Sequence, residues 1–124
     1  MKLLTDDIRA KLIANGRKNA ERLADPDNED GNTHDFRPVV KLFNPCGAGT
    51  WLLTEIDPED TDIAYGLCDL GMGCPELGTV RISELERVRL MGGALGIERD
   101  CHWTADKTLS AYADEARRLG YIKA

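Results

Sequence analysis

The stretch from residue 51 to residue 82 reads WLLTEIDPEDTDIAYGLCDLGMGCPELGTVRI and decides the expected fold. It contains three runs rich in aliphatic, aromatic and β-branched residues, Trp51–Ile56, Ile63–Leu70 and Leu77–Ile82, which is typical of short strands. Turn-forming residues at 57–62 and 71–75 separate these runs. Because parallel neighbours need a long crossover, connections this short predict antiparallel hairpins.

The segments on both sides of this stretch extend the prediction. Pro38–Phe43 and Ile97–Trp103 are further candidate strands, and Ser83–Glu86 has the form of a capping box that opens a short helix. Residues 5–24 and 108–119 have the periodicity of amphipathic helices. In the first helix the apolar or small positions are Ile8, Leu12, Gly16, Ala20 and Leu23.

Together these elements predict one α+β domain that spans residues 1–124. We expect a small antiparallel sheet of four to five strands, with the N- and C-terminal helices packed on one face. Residues 25–36 combine proline, glycine, asparagine and acidic residues, so this segment is predicted to be a mobile loop.

Charge is unevenly distributed along the chain. The formal net charge is −6, yet residues 42–80 contain seven acidic residues and neither lysine nor arginine, so this segment carries −7 and the remainder +1. Since nucleic-acid affinity comes largely from lysine and arginine against phosphates, we expect no direct nucleic-acid binding. DNA binding through the basic residues of the first helix is a weaker hypothesis, because the eight acidic residues before Lys41 balance their charge. A protein partner with a basic surface fits the acidic centre better.

The same reading places the chain in the cytoplasm and off the membrane. No apolar run approaches the roughly 20 residues of a membrane span, and the acidic start does not resemble a signal peptide. The four cysteines are therefore expected to be reduced. Cys68 and Cys74, the closest pair, have five residues between them instead of the two to four of structural zinc sites, so no metal and no cofactor is expected.

The acidic centre supplies the candidate binding residues. Strict alternation along Trp51–Ile56 places Trp51, Leu53 and Glu55 on one face, where Trp51 and Glu55 would form a contact patch if the tryptophan were exposed. The turn at 57–62 does not match a calcium-binding EF-hand, and its proline and aspartates are typical of a solvated hairpin turn. An exposed recognition surface and a weak divalent-ion site are the alternatives. Asp69 is placed to cap backbone amides of the turn that follows it. The predicted binding residues are Trp51, Glu55, Asp57, Glu59, Asp60, Asp62, Asp69 and Glu76.

Other candidate catalytic or ligand-binding motifs lack the geometry or the residues that their chemistry requires. Cys101 and His102 are adjacent, so in a strand their side chains would point to opposite faces. Residues 71–75 lack the lysine and the following helix of a phosphate-binding loop. No catalytic residues are therefore assigned.

The string Thr50–Asp60, continued by Gly66–Gly71 and Pro75–Gly78, resembles a family of small uncharacterised bacterial proteins classed as a domain of unknown function. Residues Ser83–Val88 and Leu109–Tyr112 extend the resemblance, which covers about Pro38 to Gly120. That family is met on plasmids, integrative elements and phages, so the resemblance implies a mobile-element context. It implies no catalytic residue or ligand.

The sequence therefore predicts a non-catalytic, acidic protein-binding module of a mobile element. A host nucleic-acid-handling or defence component is the expected partner. The alternative is a small metal-dependent hydrolase that uses the central carboxylates. Converging carboxylates in a pocket would favour the hydrolase, and carboxylates spread over a convex surface would favour the binding module.

Overall fold

The computed structural model describes residues 2–124 and contains one five-stranded antiparallel sheet with helices at both ends of the chain. The strands are β1 Val40–Phe43, β2 Thr50–Ile56, β3 Ile63–Asp69, β4 Glu76–Arg81 and β5 Glu98–Arg99, and the helices are α1 Asp6–Ala24, α2 Ile82–Arg87 and α3 Leu109–Leu119. The order across the sheet is β4-β3-β2-β1-β5. The predicted α+β class and the antiparallel hairpins are confirmed.

The two long helices cover opposite faces of the sheet, which corrects the expectation that both pack on one face. Leu12 of α1 packs in a core that contains Leu53, whereas Leu109 of α3 packs in a second core that contains Leu52. Neighbouring side chains of a strand point to opposite faces, so a strand that is apolar at both positions needs cover on both sides. The fold is therefore three-layered, with the sheet in the middle.

Helix α1 takes the place of a strand beside the last residues of β2. The pairing of β1 with β2 ends at Val40 and Leu53, and beyond it the Asn15 side-chain amide donates to the Thr54 carbonyl over 2.9 Å. A Cβ atom at Gly16 would lie only 1.8 Å from the Ile56 carbonyl oxygen. Glycine is therefore required where the helix approaches the strand backbone.

A β-bulge at Thr54 interrupts the alternation of β2. Leu53 pairs with Gly66, but Glu55 and not Thr54 pairs with Tyr65. The extra residue transfers Glu55 to the face that α3 partly covers and leaves Ile56 fully buried in the core under α1. Strict alternation predicted the reverse arrangement for these two residues.

The ends of the helices follow from local chemistry. The Thr5 hydroxyl accepts a bond from the Ile8 N–H over 3.2 Å and so caps the start of α1, and Gly120 ends α3 in the left-handed conformation (φ +83°). Between residues 2 and 124 no helix combines the length and the apolar character that a membrane crossing requires.

Candidate functional site

The β2–β3 turn, residues 57–62, uses two of its four carboxylates to hold its own shape and a third to hold the start of α2. Asp57 and Asp60 each accept a bond from the backbone N–H two residues further along, at 2.9 and 3.2 Å. Asp62 accepts bonds from the Ser83 backbone N–H (2.9 Å) and from the Ser83 hydroxyl (2.7 Å). The predicted capping box at Ser83–Glu86 is therefore wrong, because Asp62 from the turn performs the capping of α2.

Basic side chains from outside the acidic segment partly neutralise this turn. Arg81 lies 3.4 Å from a carboxylate oxygen of Asp60 and 3.5 Å from one of Asp62, and Arg9 donates to the Thr61 carbonyl over 3.0 Å. Hydrogen bonds from the Ser83 hydroxyl and backbone hold the pKa of Asp62 below its ordinary value. Glu59 and Glu76 are exposed, and both lie outside every ion pair formed within residues 2–124.

Two of the predicted binding residues are buried. Trp51 is 7% exposed and packs in the core under α1, and the bulge places Glu55 on the opposite face, so the two do not form a contact patch. Asp69 is also 7% exposed. Its carboxylate accepts bonds from the N–H of Gly71 (2.8 Å) and of Ile122 (3.0 Å), so the predicted capping of the following turn is present, together with an anchor for the C-terminal segment.

Glu55 lies in a cleft on the face of the sheet that α3 covers only in part. We use the term Glu55 cleft for two adjoining cavities, of about 320 and 270 Å³, that share Glu55 and Tyr65. The C-terminal half of α1 and the β2–β3 turn line the first cavity, whose residues include Asn19, Ala20, Leu23, Asp57, Pro58 and Thr79. The segment 33–36 and the start of α3 line the second.

The side chain of Asn19 holds the Glu55 carboxylate in place. Asn19 is 4% exposed, and its amide nitrogen lies 3.0 and 3.1 Å from the two carboxylate oxygens. Its amide oxygen accepts a bond from the His34 backbone N–H over 2.8 Å, which attaches the segment after α1 to the cleft. A carboxylate can accept about four hydrogen bonds, so Glu55 retains acceptor positions that Asn19 does not use.

Glu55 has no cationic partner within residues 2–124. None of the ion pairs in this part of the chain includes it, and its one side-chain donor is the neutral amide of Asn19. Partial burial raises the pKa of Glu55, and the Asn19 bond opposes that rise only in part. Burial, followed by the charge of Glu55, raises the pKa of Tyr65 beside it. A partly desolvated carboxylate without a counter-charge is the arrangement that an incoming cation would stabilise.

The wall of the second cavity is fixed to α3. The Asp35 carboxylate accepts bonds from the backbone N–H and the hydroxyl of Ser110, and the Phe36 carbonyl accepts the Leu109 N–H over 2.9 Å. Burial tends to raise the pKa of Asp35, but the Ser110 bonds outweigh it and leave the pKa below its ordinary value. The segment 25–36, predicted to be a mobile loop, is therefore anchored at its C-terminal end.

Within residues 2–124, histidine, cysteine and acidic side chains form no group of three or more that could hold a metal ion. Cys46, Cys74 and Cys101 are exposed free thiols. Cys68 is partly buried, and that burial raises the pKa of its thiol.

Asn19 and Tyr65 were missed from the sequence. Asn19 follows Leu12 by seven residues and Gly16 by three, so it belongs to the buried face of α1, and a polar residue at such a position is the signal that could have found it. Tyr65 had no such signal, because an aromatic residue in a strand is ordinary.

No curated protein and no solved structure matches the chain. The family described as "Protein of unknown function (DUF2958)" matches residues 3–123, almost the whole chain. The resemblance to a domain of unknown function is thereby confirmed, and the chain belongs to this family.

Proposed function

We propose that this chain is a non-catalytic protein-binding module that holds a basic side chain of a partner protein in the Glu55 cleft. The observation that carries the proposal is the Glu55 carboxylate, which is half-buried, fixed by Asn19 and without a cationic partner among residues 2–124. An arginine or lysine from a partner would supply the missing charge and use the free acceptor positions.

The walls of the cleft support the same choice of ligand. Leu23 is 57% exposed at the end of α1, and it lines the first cavity together with Pro58 and Tyr65. Apolar walls fit the aliphatic stem of lysine or arginine, while Glu55 and Asp57 attract the charged end. The wider acidic surface, including Glu59 and Glu76, would accelerate the encounter with a basic protein.

The partner in this proposal is a cytoplasmic host protein that handles nucleic acid or takes part in defence. Its basic surface would be the one that normally contacts phosphates, and the mobile-element context implied by the sequence resemblance supplies the biological reason. Competition for that surface, with no contact to nucleic acid by this chain, is the expected mode of action.

The test is a peptide-display selection against the wild-type chain, followed by binding measurements with two variants. We expect the selected peptides to share an arginine or lysine at one position. Glu55→Gln should weaken their binding by about tenfold or more, which corresponds to the loss of one charged hydrogen-bonded contact. Glu84→Gln is the matched control, since it removes the same charge from an exposed residue of α2, outside the cleft and outside the acidic segment 42–80, and should leave the affinity almost unchanged. Selected peptides without a shared basic residue, or equal binding to Glu55→Gln, would contradict the proposal.

The second candidate, a small metal-dependent hydrolase, is favoured by one observation: Glu55 and Asp57 line the same cavity. Two carboxylates on one cavity are a minimal start for Mg²⁺ or Mn²⁺ coordination. Titration with Mn²⁺, followed by the paramagnetic broadening of Glu55 and Asp57 NMR signals, distinguishes the two functions. Saturable broadening that Glu55→Gln abolishes would support the hydrolase, and its absence at millimolar Mn²⁺ would support the binding module.

A further inference from the structure

Strand β4 is the open edge of the sheet next to the Glu55 cleft. It is the last strand in the order β4-β3-β2-β1-β5, and Leu77 and Thr79 in it are exposed. Gly78 between them has no atom within 4 Å of the place where a Cβ would stand. An exposed edge of this kind is a template for pairing with another extended chain.

The pairing with β3 determines which backbone groups face this open edge. The Ile82 N–H donates to the Asp62 carbonyl over 2.9 Å, and the β3–β4 register continues this alignment through Ala64 with Val80 and Gly66 with Gly78. In an antiparallel ladder alternate residues direct their N–H and C=O groups to the same neighbour. The even-numbered residues of β4 therefore bond to β3, and the N–H and C=O groups of Leu77 and Thr79 point outward.

The side chains at this edge continue into the Glu55 cleft. Glu55 pairs with Tyr65 and Tyr65 pairs with Thr79, so the three side chains form one row across β2, β3 and β4 on the same face. Thr79 lines the first cavity of the cleft and Leu77 the second. A residue added opposite Thr79 would be the fourth member of this row.

We infer that β4 accepts an extended segment of the partner protein as a sixth strand, with a long basic side chain placed opposite Thr79. This inference rests on the proposed function, and it specifies the conformation and the position of the partner segment. The outward groups of Leu77 and Thr79 provide the main-chain hydrogen bonds. The basic side chain crosses Thr79 along Tyr65 toward Glu55, so the recognition of charge and the addition of the strand occur on one row of residues.

The experiment uses a short peptide in which threonine and valine alternate around a central arginine, with a matched peptide that has glutamine at the centre. Amide hydrogen exchange is followed by NMR at millimolar peptide. In the free chain the Leu77 and Thr79 amides should exchange rapidly, and those of Gly78 and Val80 slowly. We expect the arginine peptide to slow exchange at Leu77 and Thr79. Unaltered exchange at both amides would overturn strand addition.

Variants then separate the two proposals. Thr79→Pro removes an outward donor and leaves the ladder with β3 intact, so it should weaken peptide binding by about tenfold, whereas Thr79→Val should bind as the wild type does. In case the proline variant does not fold, two peptides that are N-methylated at alternate residues provide the same test. One of the two should lose binding to the wild-type chain, and the other should keep it.

The failures are distinguishable. If Thr79→Pro and both methylated peptides bind normally while Glu55→Gln binds weakly, strand addition is wrong and the proposed function stands. If the arginine and glutamine peptides protect Leu77 and Thr79 equally, the edge accepts a strand but Glu55 does not recognise a basic residue, and the proposed function is wrong.

Discussion

The β2–β3 turn and the Glu55 cleft are both acidic, and they adjoin each other, but their carboxylates differ in what they contact. In the turn, Asp57, Asp60 and Asp62 bond to backbone amides, and Arg81 partly neutralises the last two. In the cleft, Glu55 bonds only to the neutral side chain of Asn19. The turn has the higher density of charge, and Asp57 and Glu59 in it are exposed. The cleft has the half-buried carboxylate without a counter-charge, Glu55. The contacts of each carboxylate, more than the number of acids, distinguish the proposed binding site from the structural turn.

The largest expected effect comes from the buried carboxylate outside both regions. Asp69→Ala would leave the Gly71 and Ile122 amides without their acceptor, and a buried unsatisfied donor costs about 1–3 kcal/mol. We expect a loss of about 3 kcal/mol in the free energy of unfolding, measured by urea denaturation. Glu76→Gln, an exposed change in the same acidic segment, is the control and should stay within about 0.5 kcal/mol. Equal stability of the two variants would show that Asp69 does not stabilise the fold.

A smaller loss of stability is expected when Asp62 of the turn is replaced, and the size of that loss depends on pH. The pKa of Asp62 is lowered in the folded chain, so its carboxylate contributes stability above the unfolded pKa of about 3.9 and loses that contribution as pH falls through the folded value. Asp62→Asn should therefore lower the Tm at neutral pH, by less than Asp69→Ala does. The difference from wild type should shrink on acidification. A constant difference in Tm across this range would show that the charge of Asp62 is not what α2 requires.

Glu55 in the cleft should have the opposite effect on stability at neutral pH. The pKa of Glu55 is raised in the folded chain, so folding becomes less favourable as pH rises through the interval between its unfolded and folded values. Glu55→Gln removes this penalty, and we expect an equal or slightly higher Tm at neutral pH together with peptide binding weakened by about tenfold or more. A clear fall in Tm at neutral pH would place Glu55 with Asp62 among the carboxylates that maintain the fold.

The smallest effect is expected at Glu59, which is exposed in the same turn. Glu59→Gln should change the free energy of unfolding by no more than about 0.5 kcal/mol, and urea denaturation measures it. Since it changes the net charge as Glu55→Gln does, a larger effect would show that total charge, and not local contacts, controls both regions.

Much of the fold could be predicted from the sequence, whereas less of the candidate site could be. The four longer strands lie within two residues of their predicted bounds, because apolar runs and turn residues mark them locally. The bulge at Thr54 has no local signature in Leu53-Thr54-Glu55, so strict alternation assigned Glu55 to the wrong face. The contacts of Asp62 with Ser83 and of Asn19 with Glu55 join residues 21 and 36 positions apart. Such pairings depend on the tertiary arrangement of helices on the sheet, which periodicity within single elements does not specify.

The bulge at Thr54 also has an evolutionary consequence. Without Thr54, Glu55 would follow Leu53 directly and still stand opposite Tyr65, and Ile56 would still stand opposite Ala64. Deletion of Thr54 would therefore leave every later residue of β2 on the same face of the sheet. Elsewhere in a strand, deletion of one residue moves every later side chain to the opposite face. The deletion would instead remove the Thr54 carbonyl, which accepts the hydrogen bond from the Asn15 side-chain amide of α1. Homologous chains that lack the extra residue are thus expected to differ at the positions of Thr54 and Asn15 together, while they keep an acidic residue followed by an apolar one.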